Sequence, residues 1–189
     1  PSIGLSGVVL PNNFENPVIP ELGLHLTYKH PFARSPEESE EPDQIDVHGN
    51  GWKEIIPGIS LSWDQMNGWF GSLNQDLIYR MPKTIEQNKS NNDIRQDLGR
   101  RTQLELGYTF IAKGTIAVFA KQEYLGIRYE NNEALNNTDV SKNTLGARCQ
   151  LRIGNQKTLG LKVWEQGFLF YNKNTPRLTT LEMSFSLSV

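Results

Sequence analysis

Apolar and polar residues alternate along most of this chain. At the C-terminus Leu181, Met183, Phe185, Leu187 and Val189 interleave with Glu182, Ser184, Ser186 and Ser188. A period of two puts the first set on one face of a strand and the second set on the other. The same alternation runs through Gln103–Phe110 and Leu145–Ile153, where Arg148 and Arg152 share the polar face. No stretch repeats apolar residues at helical spacing over three turns. The pattern predicts an all-β chain with eight main strands, near 21–31, 52–65, 68–82, 100–112, 115–130, 143–154, 157–171 and 177–189. Most are about twice as long as an ordinary globular strand.

The connections sort by length. Gln65-Met66-Asn67-Gly68, Lys113-Gly114 and Gly154–Lys157 are tight turns. Residues 32–51, 83–99, 131–142 and 172–176 are longer and polar, and they alternate with the tight turns along the chain. Longer loops therefore gather at one end of the strands. Aromatic residues follow the same division. Trp63, Trp69, Tyr108, Phe110 and Phe185 stand near the tight turns, and Tyr28, Trp52, Tyr79, Tyr129 and Tyr171 near the long loops. Two aromatic rings flanking an aliphatic band form the girdle pattern of strands that cross a membrane.

In these features the chain resembles the small, eight-stranded bacterial outer-membrane barrels over residues 21–189. The resemblance implies a closed antiparallel up-and-down transmembrane β-barrel in the outer membrane of a Gram-negative cell envelope. It also implies outer-membrane lipid as a partner, with other envelope proteins meeting the long loops or residues 1–20. That N-terminal segment is expected as a periplasmic piece, a plug or an extra strand. The ending Ser188-Val189 departs from the class, whose members usually close on an aromatic residue.

The remaining composition narrows the chemistry. Lysine and arginine number 19 against 21 acids, for a net charge of −2, so nothing favours a nucleic-acid partner. A single cysteine, Cys149, excludes an intramolecular disulfide. The mean hydropathy of −0.50 does not oppose a membrane location, because alternating strands average out polar.

By parity, Lys29, Glu54, Asp76, Arg80, Arg101, Glu105, Arg148, Arg152, Lys162 and Glu182 share the face opposite the apolar band. Balanced charges crowded on one face should pair with each other. His25, with Ser60, Ser62 and Asp64, is the first set that could serve as base, nucleophile and orienting acid; His30 or His48 at the loop mouth is a second option with no better partners. The segments around Ile19–Tyr28 and Ile59–Trp63 resemble the lipid A palmitoyltransferase barrels, but the Asp-Ser pair expected one strand later is missing, since Leu77 follows Asp76. An interior hydrogen-bonding histidine is the simpler reading. The acidic run Glu37, Glu38, Glu40, Glu41 and Asp43 offers oxygen ligands for a metal, yet lacks EF-hand spacing and reads better as solvated charge. No cofactor is expected. The functional expectation is a structural, surface-interacting or limited-permeability, porin-like envelope protein. The alternatives are a lipid-modifying enzyme and a soluble lipocalin-like carrier.

Overall fold

A computed structural model describes residues 2–11, 19–31, 51–65, 68–87, 90–110, 114–153, 157–167, 172–175 and 177–187. In chain order its strands are β1 (Ser2–Leu10), β2 (Glu21–Lys29), β3 (Glu54–Asp64), β4 (Trp69–Arg80), β5 (Lys83–Gln87), β6 (Ser90–Gln96) and β7 (Gly99–Phe110). They continue as β8 (Gly114–Leu125), β9 (Arg128–Glu130), β10 (Glu133–Leu135), β11 (Val140–Ile153), β12 (Lys157–Gln166) and β13 (Leu178–Leu187). Nine of them form one antiparallel sheet in the order β1-β2-β3-β4-β7-β8-β11-β12-β13, and a second sheet has the order β10-β9-β6-β5.

Both sheets are open, so the closed eight-stranded transmembrane barrel expected above is not formed. Closing eight strands would require β2 to pair with β13. Instead β1 occupies the free edge of β2, from Ser2 against Lys29 to Leu10 against Leu22. Strand β13 pairs only with β12 among the described residues. The resemblance to eight-stranded barrels fails on count as well as closure, and the expectation of transmembrane barrel strands falls with it.

Local sequence accounts for most of the strand boundaries. The β3–β4 hairpin closes where the Gly68 amide donates to the Gln65 carbonyl at 2.9 Å, with Gly68 at φ 92°. The β9–β10 turn is Asn131-Asn132, at φ 49° and 69°, which is the two-residue primed turn that suits strand twist. Pro57 sits inside β3, and β3 and β4 lose their register pairing at Ile56 and Pro57, because proline has no amide to donate.

Most of the smaller sheet is built within segments read as loop, and β9 comes from the end of the segment 115–130 read as one strand. Residues 83–96 fold back as β5 and β6, paired from Lys83–Ile94 to Gln87–Ser90. Ile85, Ile94 and Trp52 form a small buried cluster there. Arg80 and Lys83 sit over the Trp52 ring at 5.7 and 5.0 Å. The large sheet buries Ile56, Ile78 and Leu125, with Val140 packed against them.

Aromatic rings lie over glycines on neighbouring strands. Trp63 faces Gly71, Phe70 faces Gly107, and Phe119 faces Gly146 in direct register. A Cβ at any of the three glycines would collide with the opposing ring. Such aromatic–glycine pairs pin register where a strand lacks a side chain of its own. Gly107→Ala should therefore cost about 1–3 kcal/mol, the usual range for an overpacked site. Chemical denaturation checks this, and Phe70→Leu in the same chain should recover part of the loss.

Candidate functional site: the charged face of the large sheet

The register sorts the two faces of the large sheet. On one face Leu106, Val118, Ala147, Val163 and Leu181 follow one another from β7 to β13, and the row beside it holds Tyr108, Ile116, Cys149, Leu161 and Met183. Many of these side chains are open to solvent: Val118 is 56% exposed, Leu181 65% and Met183 76%. Trp69, Tyr108 and Phe110 sit at the tight-turn end of this face, with Tyr108 in edge-to-face contact with both neighbours at 5.3 and 5.2 Å. The few polar groups here satisfy each other, as where the Thr102 hydroxyl donates to Gln75 Oε1 at 2.6 Å.

The opposite face carries the charge. Six strands contribute to one row: His25, Gly58, Asp76, Arg101, Glu123 and Lys142 stand side by side from β2 to β11. His25 Nε2 lies 2.8 Å from Asp76 Oδ1. Arg101 donates through Nη1 to Asp76 Oδ2 at 3.4 Å and through Nε to Glu123 Oε2 at 2.9 Å. Lys121 approaches the same Glu123 oxygen at 3.6 Å. Asp76 is 8% exposed, so an unpaired charge there would be costly. Two flanking cationic or hydrogen-bonding groups offset that cost.

Gly58 makes the first contact possible. His25 and Asp76 are on β2 and β4, with β3 between them. A Cβ on Gly58 would run into both the imidazole and the carboxylate. The missing side chain lets the imidazole reach across an entire strand.

Two further ion pairs extend the pattern. Glu54, 6% exposed, accepts from Arg80 Nε at 2.9 Å and lies 3.6 Å from Lys29 Nζ. Arg80 Nη1 also donates to Gln96 Oε1 at 2.5 Å, and Gln96 in turn donates to the Gly126 carbonyl at 2.9 Å, which ties the smaller sheet to the larger. Glu105 receives Arg148 through Nη2 at 2.5 Å and Nε at 3.2 Å, across β8, where Ala117 leaves room.

The sequence-derived candidates distribute as follows. Lys29, Glu54, Asp76, Arg80, Arg101, Glu105 and Arg148 enter these ion pairs. Lys162 rests over the Phe119 and Trp164 rings at 5.3 and 4.8 Å. Arg152 and Glu182 are exposed. Ser60 and Ser62 lie on the His25 face of β3, in register with Gly23 and Glu21 of β2, and no hydrogen bond joins either to His25 among the described residues. Asp64 is exposed at the strand end. The acid beside His25 is Asp76, one strand farther than the sequence reading placed it. Trp52 is buried instead of outward-facing, and Tyr129 belongs to the smaller sheet beneath Arg95. Trp63, Trp69, Tyr108, Phe110 and Phe185 border the apolar face at the tight-turn end; Tyr28 and Tyr79 are paired with Ile55 of β3 near the other end. Tyr171, His48 and the acids Glu37, Glu38, Glu40, Glu41 and Asp43 lie outside the described residues. Among those described, no group of three or more potential ligands could hold a metal ion. Sequence reasoning missed Glu123, Lys121 and Lys142, although period two from Phe119 along β8 places Lys121 and Glu123 on the charged face.

His25→Ala should lower stability by about 1–3 kcal/mol, the range for stranding a buried hydrogen-bond partner. Gly58→Ala should also destabilise the chain, but less so in a His25→Ala background, because the colliding ring is gone. A double-mutant cycle by denaturant titration measures that coupling; additive losses would mean that the imidazole does not cross Gly58.

No known protein family matches this chain, and no curated protein does. Among solved structures, the fold is similar to that of the COG4313 outer membrane channel from Pseudomonas putida F1, at a TM-score of 0.72 and 10% identity. The match covers 97% of this chain and 63% of the channel's, so the chain spans somewhat under two thirds of that protein's length. At this identity the likeness is one of fold.

Proposed function

We propose that this protein is a channel-type component of the bacterial outer membrane, with its apolar sheet face set against lipid and its charged face against water. The observation that carries the reading is the division between the two faces. Side chains such as Val118, Leu161 and Met183 are left exposed while Glu54 and Asp76 are buried, the reverse of what water selects. A contiguous apolar surface of this extent marks a lipid or protein contact. The fold shared with an outer membrane channel supports the same reading. A limited-permeability role fits a face lined by paired charges better than a purely structural one. The soluble-carrier alternative is disfavoured because a carrier turns its apolar face toward a ligand in its interior. Lipid-modifying chemistry has less support, since His25 is engaged by Asp76 and not by a serine.

Purified protein should require detergent and insert into lipid vesicles, where it should pass small ions. Freedom from detergent together with absence of conductance would overturn the reading. Val118→Arg, in the middle of the apolar face, should weaken association with lipid vesicles, because a cation facing hydrocarbon is costly. Val118→Ala should have a far smaller effect in the same vesicle assay.

A further inference from the structure

We infer that a cleft on the charged face binds a small polyanion bearing two or three negative charges on carboxylate or phosphate groups. The cleft lies over β7, β8, β11 and β12 and has a volume of about 530 Å³. That volume exceeds the share of a single water, about 30 Å³, many times over, and so fits an organic molecule better than a bare ion. Its lining includes Lys121, Lys142, Arg148 and Lys162 but a single carboxylate, Glu105.

The four cations are not equally committed. Arg148 is held by Glu105, and Lys121 shares Glu123 with Arg101. Lys142 and Lys162 form no ion pair among the described residues. Lys142 has Glu123 as its register neighbour on β8, and Lys162 has Glu182 on β13. Neither lysine is within ion-pairing distance of that acid, and Lys162 has a second partner. Its ammonium lies over the Phe119 and Trp164 rings at 5.3 and 4.8 Å, and both rings line the cleft. Rings hold a cation there without neutralising it.

With Arg148 held by Glu105 and Lys121 by Glu123, Lys142 and Lys162 supply the positive charge that remains for an anionic ligand. Gln103 and Thr144, also in the lining, supply an amide and a hydroxyl for its remaining hydrogen bonds. Ammonium groups act as point charges that accept either kind of anion, without the planar selectivity of guanidinium. The inference rests on the proposed function only in taking this face as open to water. Ligand binding without transport tests it separately.

The experiment is calorimetric titration of the full chain in detergent with citrate, pyrophosphate and uncharged glycerol. Citrate or pyrophosphate should bind and glycerol should not, and affinity should fall as sodium chloride is raised. Citrate binding alone assigns a carboxylate ligand, pyrophosphate binding alone a phosphate one, and binding of both the shared oxyanion chemistry. Lys142→Met and Lys162→Met should each weaken binding at least fivefold. Lys162→Arg, which keeps the charge, should retain it, as should Lys53→Met, an exposed change outside the cleft. Binding by neither anion, equal binding of glycerol, or a loss under fivefold in both methionine variants would overturn the inference. Anion binding without vesicle conductance would leave it standing and remove the channel reading instead.

Discussion

Cross-strand register is the constraint on which the rest of this structure depends. Each strand of the large sheet alternates with a period of two, so its charges share a face only if every neighbour is held in step. Arg101 shows what is at stake. In its present register it meets Asp76 on one side and Glu123 on the other. A slip of one residue along β7 would bring Arg100 and Thr102 to that face and turn Arg101 toward the apolar one. It would leave Asp76 and Glu123 without their shared cation. Thus the ion pairs and the apolar band depend on the same alignment, and each penalises misalignment of the other.

Pairing across strands is helped by absent side chains. Gly58 lets His25 reach Asp76 over β3, and Ala117 leaves space for Arg148 to reach Glu105 over β8. Glycines opposite Trp63, Phe70 and Phe119 accept rings in the same manner. Small residues thus serve a positive purpose in the interior of this sheet. At Gly58 and Ala117 they couple strands that are not hydrogen-bonded neighbours, which backbone ladders alone cannot do.

Alternation made the eight long strand segments legible, because their period is a local property of the chain. Closure was not legible, since it depends on which distant edges meet. Ile3–Leu10 reads as a strand, but nothing in its sequence says that it pairs with β2 and so occupies the edge that a barrel would need. The smaller sheet was hidden for another reason. Its strands are short and polar, and β5 and β6, which lie among Asn, Lys and Ser, carry only Ile85 and Ile94 as apolar residues. At the charged face, parity located side chains without identifying partners. Parity offered Asp64, on the strand next to His25, as its acid, whereas the register of β2, β3 and β4 brings Asp76 to it.

The same face holds charges of two energetic kinds. In the His25–Asp76–Arg101–Glu123 row, positive and negative groups are matched, and their Coulombic attraction is largely offset by the loss of hydration. Such pairs select one register more than they add stability. In the cleft beside it, Arg148 is held by Glu105 and Lys121 by Glu123, while Lys142 and Lys162 have Glu123 and Glu182 only as register neighbours and form no ion pair among the described residues. These two lysines are therefore the least neutralised cations of the cleft, and they retain part of their repulsion with Lys121 and Arg148. An anion entering the cleft would relieve that repulsion, and binding to the folded state alone would stabilise the sheet by mass action. Ligand and fold would then be linked through the cross-strand register that brings these four side chains together.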